Sequence, residues 1–132
     1  MVPVDVIISR VYNDSYIEHI NIDKIQEDDI VYDIGAKTVN KYREVINSSQ
    51  TIFVNGTAGK YEDIRFATGT RELLNAIADT NAIKVVGGGD GVSAVKSFRL
   101  EDKFTFLSTG GGATLEYIIN GGLPAIDNIQ DV

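Results

Sequence analysis

Residues 84–98 read KVVGGGDGVSAVKSF, and their order decides the fold. A short apolar run ends in three glycines and opens onto Val92, Val95 and Phe98, which recur at helical period. A strand, a corner and a helix in this order form the first half of a βαβ crossover, which is right-handed when it returns to the same sheet. The same order recurs in LSTGGGAT (107–114), where Leu115, Ile118 and Ile119 continue the helical stripe.

Working outward, five apolar runs rich in Val, Ile and Phe read as buried strands: VDVIIS (4–9), IVYDIG (30–35), TIFVNG (51–56), AIKVVGG (82–88) and FTFLSTG (104–110). Two further helical stripes lie between them, Val39, Tyr42, Val45 and Ile46, and then Phe66, Thr70, Leu73, Leu74 and Ile77. Strands alternating with helices predict a three-layer, Rossmann-like α/β fold, with a mainly parallel sheet of about five strands and helices on both faces. The stretch 10–29 is too sparse in apolar residues for a helix and is expected to be a loop with a short β excursion. With no linker or composition shift, residues 1–132 read as one α/β domain.

The 132 residues are 43% hydrophobic, enough for a sizeable core. A net charge of −7 argues against nucleic acid or an anionic membrane as partner, so any anion must be held by local devices. There is no cysteine, which excludes disulfides and thiolate metal sites and fits a reducing cytoplasm. No apolar run reaches the roughly 18 residues of a membrane span, and the N-terminus lacks the pattern of a signal peptide.

In a parallel sheet, ligands collect where strands turn into helices. Three such corners are polar and glycine-rich: NGTAGKYE (55–62), GGGDG (87–91) and STGGGA (108–113). Helix N-termini present unpaired amides with about half a positive charge, and glycine lets a phosphate approach them. The alternative is that the glycines only shape turns or let helices pack closely on the sheet. Neither run is a Walker A loop or a dinucleotide fingerprint. Asp90 reads either as an N-cap or as a Mg²⁺ ligand. Ser108 and Thr109 read as caps or as hydroxyl donors to a phosphoryl group. Asn55 suits a turn or a phosphate contact, and Glu62 suits a helix start or a ribose hydroxyl. Lys37 and Lys60 flank corners, and His19 reads as a surface residue.

Taken together and in order, PVDVII (3–8), DIGAKT (33–38), TIFVNGTAGKYE (51–62), FATGT (66–70), VVGGGDGVSAVKSF (85–98) and DKFTFLSTGGGATLEYI (102–118) resemble the phosphoglycerate kinase family. The resemblance implies an enzyme of two lobes that moves a phosphoryl group between 1,3-bisphosphoglycerate and Mg-ADP, giving 3-phosphoglycerate and ATP. The chain is similar to the second part of the nucleotide-binding lobe. The resemblance implies that Gly87, Gly88, Gly89, Asp90 and Gly91 line the nucleotide phosphates, with Asp90 on the metal. It further implies that Gly89, Thr109, Gly110, Gly111 and Gly112 stabilise charge on the group in transit, with Ser108 beside them. Asn55 is implied to face phosphate or ribose, and Glu62 the ribose hydroxyls.

Thr57 and Ala36 stand where the family usually has proline, Gly91 where it has Ser or Thr, and Val31 where many members have a glycine against the base. The family's phosphate-binding lysine stretch and its substrate lobe have no counterpart here, so the chain alone is expected to be nearly inactive unless the amino-terminal part is supplied in trans. An exposed sheet edge is expected, open to self-association. The tail 123–132, which in the family returns to the other lobe, is expected to be loosely ordered or borrowed by a neighbour. A non-catalytic nucleotide-binding module and a self-associating α/β domain are the competing readings.

Overall fold

The molecule is built on two separate three-stranded sheets. The computed structural model describes residues 1–10 and 16–129. The first sheet contains β1 (Asp5–Ser9), β2 (Glu18–Asn21) and β3 (Ile30–Ile34) in the order β2-β1-β3, with both pairings antiparallel. The second contains β4 (Thr51–Asn55), β5 (Ile83–Gly87) and β6 (Phe106–Ser108) in sequence order, all parallel. The α/β class expected from the alternation holds, but the five expected strands do not share one sheet. The reason lies in residues 10–29. A parallel return needs a crossover of a dozen or more residues, usually a helix, and this stretch has no helical period. It supplies β2 instead, the β excursion expected there, while residues 11–15 within it lie outside the described residues.

The helices are α1 (Ala36–Ser48), α2 (Thr68–Ala78), α3 (Gly89–Ser97), α4 (Gly111–Asn120) and the single turn α5 (Pro124–Asp127). Short 3₁₀ turns span Ile22–Lys24, Ile64–Phe66 and Glu101–Lys103. Alternation along the parallel strands sends Ile52, Val54, Val86 and Leu107 to one face, where Leu74 and Ile77 of α2 and Val92 and Val95 of α3 close over them. Phe53 faces the other way, beside Gly87 and the start of α4, so helices do lie on both faces.

α1 and α2 join the two halves. α1 packs on α2 and β1, and α2 reaches β3. The α1 end is anchored by Asp5, which accepts from the Thr38 amide at 2.7 Å and the Lys37 amide at 3.1 Å, while the Thr38 hydroxyl donates to the Asp5 carboxylate at 2.6 Å. Burial opposes the Asp5 charge, but the Thr38 side chain and the two amides outweigh it and hold the carboxyl below its usual range.

Two expected stripes are only half used. On α1, Val39 is buried but Val45 is 48% exposed on a groove with Met1, Tyr42 and Ile52. On α4 the first turn touches β5, and Ile118 and Ile119 remain exposed. The tail forms α5 with Ile126 and Ile129 exposed, and residues 130–132 lie outside the described residues.

Candidate functional site

The carboxyl ends of β4, β5 and β6 meet at one place. Strands in parallel register end level, so Asn55, Gly87 and Ser108 are neighbours across the sheet. The Gly88 amide donates to the Ser108 carbonyl at 2.9 Å and extends the ladder one residue into the corner. Gly88 then turns the chain with φ of +89° and becomes the N-cap of α3, and Gly110 is the N-cap of α4. The first internal bonds of the two helices are Val92 N to Gly88 O and Thr114 N to Gly110 O. The amides of Gly89, Asp90 and Gly91, and those of Gly111, Gly112 and Ala113, therefore have no acceptor within their helices.

These two helix tips touch through glycine. A Cβ on Gly111 would lie 2.8 Å from Gly88 Cα, 2.9 Å from Gly88 N and 2.7 Å from Asn55 Oδ1. A Cβ on Gly88 would lie 2.9 Å from the same Asn55 oxygen. Glycine at 111 allows this approach, glycine at 88 is demanded by its positive φ and by the Asn55 oxygen, and Asn55 closes the third side. Two helix dipoles thus end in one small volume rimmed by a carboxamide, an arrangement suited to an anion.

The remaining sequence-derived residues fall into place around it. Gly89, Asp90, Thr109, Gly110 and Gly112 are exposed at the rim, while Gly87 and Gly91 are buried beneath it, Gly91 against Val86. Asp90 sits inside the first turn of α3 and makes no cap bond, because α3 starts at Gly89. A lone exposed carboxylate in this position fits a cation carried in by phosphate oxygens, since Mg²⁺ needs few protein ligands. The described residues contain no group of three or more acidic or histidine side chains able to hold a metal by themselves. The Ser108 hydroxyl lies 2.9 Å from that of Thr114 and accepts weakly from the Gly110 amide at 3.3 Å, so it braces the α4 tip.

Glu62 lies in a turn rather than at a helix start. Asp63 next to it caps the Ile64–Phe66 turn, and the Arg65 guanidinium and amide hold the Asp63 carboxyl down to about 2. Between β3 and the loop after β4 lies a groove of about 440 Å³ lined by Val31, Tyr32, Thr57, Ala58 and Lys60 among others. Lys37 is turned away, with its ammonium on Asn21 Oδ1 at 2.8 Å. His19 is exposed, as expected.

Within DIGAKT and FATGT the sequence assigns Asp33 no role and Thr70 only a place in the α2 stripe. Both are buried, and both are structural partners of the corner loop. Asp33 accepts from the Gly69 amide at 2.7 Å and the Ile34 amide at 2.8 Å. Burial nonetheless pushes its carboxyl above the ordinary value. For Asp33 the available signal was an aspartate inside an apolar strand, two residues before a glycine.

The family model for phosphoglycerate kinase matches residues 1–121. The chain is 43% identical over 127 residues to a phosphoglycerate kinase of Dictyoglomus turgidum, covering 96% of this chain and 32% of that protein. It is 42% identical over 108 residues to one of Akkermansia muciniphila, covering 82% and 27%. Among solved structures, phosphoglycerate kinase of Coxiella burnetii superposes with a TM-score of 0.87 at 38% identity, covering 96% of this chain and 33% of that one. The enzyme of Pyrococcus horikoshii gives 0.79 at 32% identity, with coverage of 95% and 31%. The chain spans about a third of the length of these relatives. With matches this extensive in sequence and in backbone, the chain belongs to the phosphoglycerate kinase family.

Proposed function

We propose that the chain forms the nucleotide side of a phosphoryl-transfer site, acting between 1,3-bisphosphoglycerate and Mg-ADP. The observation that carries this reading is the contact of Gly88 with Gly111, which aims the free amides of α3 and α4 at one volume. In the transfer, a β-phosphate oxygen of ADP forms a bond to the acyl phosphorus as the acyl P–O bond breaks, releasing the carboxylate of 3-phosphoglycerate. Charge builds on the oxygens of the group in transit, and fixed amide dipoles stabilise it without reorganising. In this reading the amides of Gly111 and Gly112, with Thr109 and Gly110 at the helix tip, face the moving group. The amides of Gly89 and Gly91 carry the nucleotide phosphates, with Gly87 and Gly88 as the backbone floor beneath them. Asn55 donates to phosphate or ribose, and Glu62 accepts from the ribose hydroxyls. The base lies along the groove between Val31 and Ala58. Magnesium, arriving with the nucleotide and held by Asp90, would neutralise phosphate charge.

Neither GGGDG nor STGGGA contains a lysine or arginine. The several negative charges brought together in the reaction need such cations. We therefore assign them to the portion of the family's architecture that this chain does not cover. Calorimetry with Mg-ADP tests the nucleotide site, and ATP formation from 1,3-bisphosphoglycerate after mixing with the amino-terminal two thirds of a relative tests the transfer. Absence of binding at millimolar Mg-ADP would sink the reading. A second reading, self-association, rests on β4, which ends its sheet with Ile52 and Phe53 on an apolar groove. Sedimentation at rising concentration tests it.

Among the described residues no helix is long and apolar enough to cross a membrane.

A further inference from the structure

Asn55 ends β4 and Glu62 lies near the end of the loop that follows, and these are the two side chains assigned to the nucleotide above. The middle of the loop is held from below. Thr70, 3% exposed in the first turn of α2, accepts from the amides of both Ala58 and Gly59 at 3.1 Å. The next amide, Lys60, donates to the Tyr32 carbonyl of β3 at 2.9 Å. Gly59 lies so close to Asp33 that a Cβ would run into its carboxylate, and that carboxylate is fixed by the amides of Ile34 and Gly69. Three consecutive amides of an irregular surface loop are thus committed to β3 and α2. Surface loops ordinarily leave many such groups to water. The loop is bolted at its middle, while Glu62 within it and Asn55 just before it stay exposed.

We infer that Thr70 is a positioning residue for nucleotide: its hydroxyl oxygen, shared by the Ala58 and Gly59 amides, sets the loop so that Asn55 and Glu62 are presented together. Thr70 is too deeply buried to touch a ligand and acts through the loop. The inference rests on the nucleotide reading. Valine matches threonine in shape but offers no acceptor, so Thr70→Val would leave two amides unpaired at once. Serine keeps the acceptor.

The test is calorimetry with Mg-ADP on the chain itself, beside amide exchange at Ala58, Gly59 and Lys60. T70V is expected to weaken Mg-ADP about three- to tenfold and T70S less than about twofold, because a loop left to be ordered on binding draws on the binding free energy. Glu62→Ala is expected to weaken binding in the native chain and to add little in T70V, a coupling that a general loss of stability would not produce. In the native chain, which needs no substitution to fold, Mg-ADP is expected to slow exchange at the three amides. T70V binding as tightly as the native chain overturns the inference alone, as does nucleotide binding that leaves the three amides unchanged. Failure of the native chain to bind Mg-ADP overturns the nucleotide reading and the inference with it.

Discussion

Gly111 and Gly112 are consecutive residues in one helical turn, yet substitution should affect them in opposite directions. At Gly112 a Cβ meets nothing within 4 Å, so Gly112→Ala carries only the change in helix propensity, a gain of up to about 1 kcal/mol. At Gly111 the same Cβ lies within 3 Å of Gly88 Cα, Gly88 N and Asn55 Oδ1. Asn55 is exposed and can rotate away, but Gly88 cannot, because its amide is bonded to Ser108 O and its carbonyl accepts from Val92. Relieving the two backbone contacts requires prising α4 off β5, which by analogy with overpacked cores costs about 1–3 kcal/mol. Less the same propensity gain, Gly111→Ala is expected to destabilise by up to about 2 kcal/mol; the propensity change is common to both positions, so the gap between the neighbours is the overpacking cost of about 1–3 kcal/mol. Urea unfolding followed by circular dichroism measures both, with unchanged slope as the control for two-state behaviour. Equal midpoints for the two variants would refute the packing argument, since propensity alone treats the positions alike.

Further outcomes follow from the same structure. Asp90→Ala should weaken ADP more in Mg²⁺ than in EDTA, and equal weakening by calorimetry in the two buffers would remove the metal role. Leu74→Ala, at a core side chain 3% exposed, should cost about 2–5 kcal/mol in urea unfolding. Asp5 and Asp33 should give opposite pH trends about the ordinary carboxyl value of 3.8. The Asp5 value is lowered on folding, so its contribution is present above pH 3.8 and is lost as pH falls through the folded value. The Asp33 value is raised, so its contribution is present below 3.8 and is lost as pH rises through the folded value. Urea midpoints between about pH 3 and pH 6 should therefore show the native chain gaining on Asp5→Asn with rising pH and losing ground against Asp33→Asn. Matching trends for the two variants would contradict the hydrogen-bond account.

The strands and helices around the glycine corners were legible because each alternates sharply, apolar run, small residues, helical stripe, and nearest neighbours in sequence became neighbours in the sheet. The division into two sheets was not. VDVIIS reads as a buried strand in either a parallel or an antiparallel sheet, and only pairing with Glu18–Asn21 and Ile30–Ile34 decides between them. The α4 stripe is legible as apolar, but the exposure of Ile118 and Ile119 is not, because periodicity reports which residues share a face and says nothing of what lies opposite. Of the candidate site, the glycine and asparagine positions could be found from corner chemistry. The tie from Thr70 to the loop could not, since a buried hydroxyl accepting from a loop twelve residues away in the chain leaves no local pattern.

The contact of Gly88 with Gly111 has a bearing on how this part of the molecule can vary. Most distances in a protein pass through side chains, so a substitution can shift them by fractions of an ångström and selection can grade the result. Here main chain meets main chain, and the gap between the two helix tips is set by atomic radii. Its width is therefore a threshold property at position 111, where a lineage keeps glycine or rebuilds the corner, while position 88 is held to glycine by its φ of +89°.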